Sequence, residues 1–276
     1  MKNLRSLTII AITLLSLFAC SKKDTDDLVE IPDNFITIPD AAFEEELIAQ
    51  GVDSDGIVNQ RLLKEDALAL TTLDIYNFYI TDISGIEGFV NLESLYIMGT
   101  GIQTIDVSKN VLLKDLWLYG NELKEILGVP LLERLEYLDL TNNYFEEFTL
   151  ENSNIERLLM SNNELSQFDA SGAENLKTLN VGGNHLTAVN LSENPLIEAV
   201  ALGGNAITQM NFGTAANLKY IECFSNNLSS LDVSNFPNLQ LLSANRNPNL
   251  TCIKIAESQI MELRLSDYQQ ATTECN

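Results

Sequence analysis

The sequence predicts a repeat solenoid, assigned to the α/β class by convention but mostly β, in which each unit contributes a short strand and stacks on its neighbours. Three observations carry that prediction. The pattern LxxLxLxxNxL returns about every 21 residues, beginning at Leu70, Leu92, Leu113, Leu135, Ile155, Leu176, Ile197, Leu218 and Leu239, and a period of that length is the mark of stacked repeats. Within each copy the LxL core places residues two apart on one side of a strand, so Leu116 with Leu118, and Leu179 with Val181, should point inward. An Asn then recurs three beyond the second apolar residue, at Asn121, Asn143, Asn163, Asn184, Asn205, Asn226 and Asn247. At that point the chain leaves the strand, and stacked amides can supply partners to buried turn backbone.

The clearest copies read LKTLNVGGNHL from Leu176, LKDLWLYGNEL from Leu113, IERLLMSNNEL from Ile155 and LKYIECFSNNL from Leu218. They resemble the leucine-rich repeat family. That resemblance implies a curved, right-handed solenoid of about nine units over residues 70–249, with the strands in parallel along a concave face. A second apolar step follows in each unit, as in Ile105xVal107, Val189xLeu191 and Leu231xVal233, and should line the far wall. One unit cannot bury its own apolar face, so neighbours supply the burial and both ends need caps. Residues 33–69 are assigned to a helical N-terminal cap and 250–276 to a C-terminal cap.

In the N-terminal cap, IPDAAFEEELIAQ reads as a helix with Asp40 ahead of Phe43, Leu47 and Ile48, and Glu44 to Glu46 near its positive end. A second helical stretch is expected over Gln60 to Leu70. Between them, GVDSDGIVNQ is a shortened acidic loop. With Gly56 at the invariant glycine position of an EF-hand, the first and last ligand positions fall on Gly51 and Leu62, so both end ligands are missing. Calcium at Asp53 and Asp55 is left as an alternative.

The first residues carry Lys2 and Arg5 and then an apolar stretch from Leu7 to Phe18, the pattern of a secretory signal over residues 1–19. Its end, LFAC, resembles a bacterial lipobox, which implies that Cys20 carries lipid. Residues 20–32 then form a polar tether, and the Lys23, Asp24, Asp26, Asp27 run resembles the export signals of surface lipoproteins in Bacteroides-like bacteria. Together these imply a chain anchored by lipid to the outer membrane of a Gram-negative bacterium and exposed at its surface. Of the remaining cysteines, Cys223 occupies an inward strand position, whereas Cys252 and Cys275 flank the final stretch and should form a disulfide pinning the C-terminal cap. The NPNLTC segment and terminal ECN also resemble the closing cap of bacterial repeat lipoproteins.

The formal net charge of -23 repels nucleic acid, which is not expected as a partner. The outward strand positions form three columns, and their aromatics are unevenly spread. Tyr76, Tyr96, Trp117, Tyr119 and Tyr137 fall on four consecutive strands among Asp74, Asp115 and Asp139. A smaller group, Tyr220, Glu222 and Phe224, lies beyond a flat stretch from Thr178 to Gly203. Aromatics clustered on a rigid surface anchor partners. The expected function is therefore a non-catalytic, monomeric surface module, internalin-like, that binds a protein through its concave face. A glycan-binding surface lipoprotein is the alternative, because Tyr and Trp stack on sugar rings and carboxylates accept sugar hydroxyls. The chain has 1 His, His185, beside a turn Asn, and no G-x-S-x-G, Cys-His pair or metal-ligand spacing. Neither catalysis nor a cofactor is expected.

Overall fold

The computed structural model describes residues 34–275. The segments expected to be a signal and a tether, with Cys20 between them, lie outside the described residues. The molecule is built on a 10-stranded parallel sheet. Its strands, in spatial and chain order, are Thr72–Ile75, Ser94–Ile97, Asp115–Trp117, Tyr137–Asp139, Arg157–Leu159, Thr178–Asn180, Ala199–Ala201, Tyr220–Glu222, Leu241–Ser243 and Glu262–Arg264. The register never slips. Leu73 pairs with Leu95, Leu95 with Leu116, Leu116 with Leu138, and so on to Leu242 with Leu263. The constant repeat length thus converts the LxL pattern into continuous buried columns, and Leu116, Leu118, Leu179 and Val181 are all fully buried.

The far wall consists of short parallel pieces, such as Thr104–Asp106 beside Glu125–Leu127 and Ala188–Asn190 beside Gln209–Asn211. Ile105, Val107, Val189 and Leu191 project from it into the same core. This is a leucine-rich repeat solenoid.

The Asn column works as hydrogen-bonded mortar. Asn143 Nδ2 donates to the carbonyls of Leu118 in the preceding repeat (2.8 Å) and Leu140 in its own (3.0 Å), while its Oδ1 accepts the Leu123 N–H (3.0 Å). Asn163, Asn184 and Asn226 repeat the arrangement one rung at a time. A second ladder, unnoticed in the sequence, runs along every second repeat. Asn110, Asn152 and Asn194 each donate to two carbonyls of the neighbouring unit, and Gln259, three units beyond Asn194, makes the same pair of bonds.

The ends depart from expectation in two places. Gln60 to Leu70 is not one helix: Arg61–Leu63 is a strand antiparallel to Phe35–Thr37, and only Lys64–Leu68 is helical. The cause is Glu44. It is fully buried on the first helix, Ala41–Ala49, and accepts the backbone N–H groups of Asn59, Gln60 and Arg61, which holds the segment extended beside the first strand. The sheet also has 10 strands rather than about nine, because Glu262–Arg264, within the residues assigned to the C-terminal cap, adds a further rung. There Gln269 takes the place of the column Asn and donates to the Ala244 carbonyl (3.0 Å). The Cys252–Cys275 disulfide is formed, and Cys223 is a free thiol, fully buried.

Asp40 ties cap to repeats. One carboxylate oxygen caps the first helix through the N–H groups of Ala42 (2.9 Å) and Phe43 (3.1 Å), and the other accepts from the backbone of Thr81 (2.9 Å) and Asp82 (3.0 Å) in the first repeat.

Candidate functional site

Strand alternation and constant register decide which side chains meet on the outer face of the long sheet. Tyr96 and Trp117 are paired across adjacent strands, as are Tyr137 and Arg157, and each pair of backbones stands about 4.8 Å apart. Rings at that spacing can stack, and they do. Trp117 lies on Tyr137 with centroids 4.3 Å apart and planes at 21°, and Tyr96 leans on Trp117 at 5.9 Å and 31°. Arg157 closes the row, its guanidinium carbon 5.3 Å from the Tyr137 centroid, within cation–π range. The result is a ladder, Tyr96–Trp117–Tyr137–Arg157, across four rungs. Burial pushes the Tyr137 phenol up to about 12, with the Asp139 charge adding to the effect.

Around the ladder stand Tyr76, 59 % exposed, and Tyr119, 44 % exposed. The Tyr76 phenol is raised above its ordinary value by partial burial and then by Asp74 and Tyr96 beside it. Asp74 is exposed. Asp115 is half-buried and accepts the Ser94 hydroxyl (3.3 Å). Asp139 differs from expectation. It is only 5 % exposed and accepts the Thr141 N–H (2.9 Å), so it closes a local turn rather than presenting charge to solvent.

The second group is largely satisfied by its own neighbours. The Tyr220 hydroxyl donates to Gln240 (2.9 Å), and Glu222 lies 3.9 Å from Arg264. The Phe224 ring lies against Gly203, where a Cβ would fall 2.5 Å from the ring. That contact explains why the flat stretch ends in glycine beside an aromatic.

Two aromatics were missed from the sequence. Phe78 and Tyr79 are 68 % and 69 % exposed and packed together, with centroids 3.9 Å apart. Phe78 sits three beyond Ile75, where later repeats carry the ladder Asn, so the signal was a departure from the repeat rather than a strand position.

On the loops bordering this face, Asn142, Tyr144, Asn162, Glu164, Gly183 and His185 line a shallow depression of about 440 Å³. Asn162 donates to Asn142 (2.9 Å), and His185 Nε2 lies 2.7 Å from Glu164. At the acidic loop, Asp55 accepts from the Ile57 N–H and the Asn59 amide, and Asp66 accepts from Ser54. Among the described residues no group of three or more His, Cys, Asp or Glu side chains is arranged to hold a metal ion. Among them also, no helix is long and apolar enough to cross a membrane.

No protein-family profile matches the sequence, and no curated protein matches it. Solved structures match in fold. Internalin C2 of Listeria monocytogenes superposes with a TM-score of 0.60 at 23 % identity, covering 79 % of this chain and 94 % of that one. The functional domain of InlJ from the same organism gives 0.58 at 22 % identity over 84 % of this chain, which spans 61 % of the InlJ domain. The leucine-rich repeat domain of APL1B gives 0.58 at 17 % identity over 71 % of each chain. These neighbours share the solenoid fold.

Proposed function

We propose that this chain is a non-catalytic, monomeric binding module that takes a protein partner on the first four rungs of its long sheet, and that lipid on Cys20 displays it at the surface of an outer membrane. The observation that carries the reading is the aromatic ladder with its exposed flanks, Tyr76, Phe78, Tyr79 and Tyr119. Large rings already held by stacking lose little entropy when a partner covers them. The formal charge of -23 disfavours a polyanionic partner.

A glycan is the second reading, and the amide, carboxylate and imidazole lining of the depression at Asn142, Asn162, Glu164 and His185 supports it. Against it, Trp117 has Tyr137 stacked on one side and Tyr96 leaning on it, which leaves little open indole face for a sugar ring. A glycan array run beside a pull-down from cell-surface extracts, both with the full chain, separates the two. Protein capture with an empty array is the expected result; saturable glycan binding without protein capture would reverse the order. The display half is tested by mass spectrometry of Cys20 and by Cys20→Ser. The wild type should fractionate with membrane and the variant should not, and an unacylated, soluble wild type would contradict it.

A further inference from the structure

The two ends of the aromatic ladder are chemically opposite. At one end Arg157 seats its guanidinium on Tyr137. At the other, the residue registered beside Tyr96 is Asp74, an exposed carboxylate, with Tyr76 adjoining both. Gln50 of the first helix donates to the Asp74 carbonyl and to Glu46, which brings a second carboxylate toward that end. None of the described ion pairs uses Asp74 or Glu46. Arg157 and Arg264 are the only Lys or Arg in the outward columns, and neither lies on the first four strands, where Asp74 and Asp115 are accessible.

Resting on the reading that a protein partner covers this sheet, we infer that the partner presents an arginine, within a cationic segment, to the Tyr96 end of the ladder. Its guanidinium stacks on the Tyr96 ring and pairs with Asp74, as Arg157 caps Tyr137 at the other end. Arginine fits better than lysine, because a planar guanidinium can lie on a ring and still offer its edge to a carboxylate, whereas an ammonium cannot do both with one flat surface. The charge also selects by sign, because the carboxylates an incoming segment meets at this end are Asp74, Asp115 and Glu46.

Trp117 is the only tryptophan in the chain and stands next to Tyr96, so its emission reports this site. The probe is a Trp-free peptide of alternating Gly and Arg carrying a dye, with Gly-Lys and Gly-Glu counterparts, titrated into the full chain. Emission and dye anisotropy are followed together. The Gly-Arg peptide should bind saturably, shift Trp117 emission, and bind about threefold or more tighter than Gly-Lys, with no response to Gly-Glu. Asp74→Asn and, separately, Tyr96→Ala should each weaken it by about threefold or more, and added salt should weaken it further. Asp74 is exposed, so its variant reports binding rather than folding. Equal binding of Gly-Glu, no saturable Gly-Arg binding, or indifference to both Asp74→Asn and Tyr96→Ala would overturn the arginine assignment and leave a protein partner on the sheet standing. Gly-Arg binding seen by anisotropy with Trp117 emission unmoved, and unchanged by Trp117→Ala, would place the cation elsewhere and remove support from the sheet reading as well.

Discussion

At the residue scale, the Asn column shows how one side chain can hold two adjacent repeats together. Asn163 donates to the Leu140 and Met160 carbonyls and accepts the Phe145 N–H, all in buried surroundings. Asn163→Ala strands these groups, and the expected cost is about 2 kcal/mol or more, read from denaturant unfolding. Asn163→Asp should do no better, since a carboxylate cannot donate to two carbonyls. Leu179→Ala, in a fully buried strand position, should cost about 2 to 5 kcal/mol. Cys223 is the complementary case. Burial pushes its thiol up to about 12, so alkylation at mildly alkaline pH should be negligible in the native protein and prompt in denaturant. The inward Leu and the Asn column were both readable because position within a fixed repeat determines them. The burial of Asp139 was not, because strand alternation gives a side chain's direction and not its exposure.

At the element scale, the N-terminal helix is fixed by Asp40, which bonds to its own first turn and to the first repeat. Burial alone would raise the Asp40 pKa, but the backbone N–H groups of Thr81, Phe43, Asp82 and Ala42 outweigh it and hold the carboxyl below the ordinary value. A depressed folded-state pKa contributes stability that is present above the unfolded value, near about 4, and is lost as pH falls through the folded one. Asp40→Ala should therefore cost about 1 to 2 kcal/mol at neutral pH. The difference between wild type and variant should shrink as the pH drops below about 4, and a gap constant with pH would contradict the assignment. At the other end, reduction of Cys252–Cys275 should lower stability by about 3 kcal/mol. The helix cap was legible from Asp40 and the spacing of Phe43 and Leu47. The strand at Arg61–Leu63 was not, since the buried carboxylate of Glu44 that holds it lies on a different element. The tenth rung escaped because Gln269 replaces the Asn that marks the others.

At the scale of the whole molecule, a rigid register turns a one-dimensional pattern into a two-dimensional surface. The columns could be written from the sequence, and the pairing of Asp74 with Tyr96, Tyr96 with Trp117 and Trp117 with Asp139 follows them. Stacking among the rings, the Arg157 cap and the exposed Phe78–Tyr79 pair could not be written that way. They depend on side-chain rotamers and on a turn that breaks the repeat. The central claim, that a partner is held on these first rungs, rests on Trp117, which sits mid-ladder and half-buried on the outer face. Its most direct test is quantitative capture of protein from cell-surface extracts by the wild type and by Trp117→Ala, with melting curves measured alongside. The account predicts that Trp117→Ala melts within a few degrees of wild type and loses about tenfold or more in partner affinity, as truncation of a central aromatic anchor does. A variant that melts like wild type and binds its partner equally well would contradict the claim.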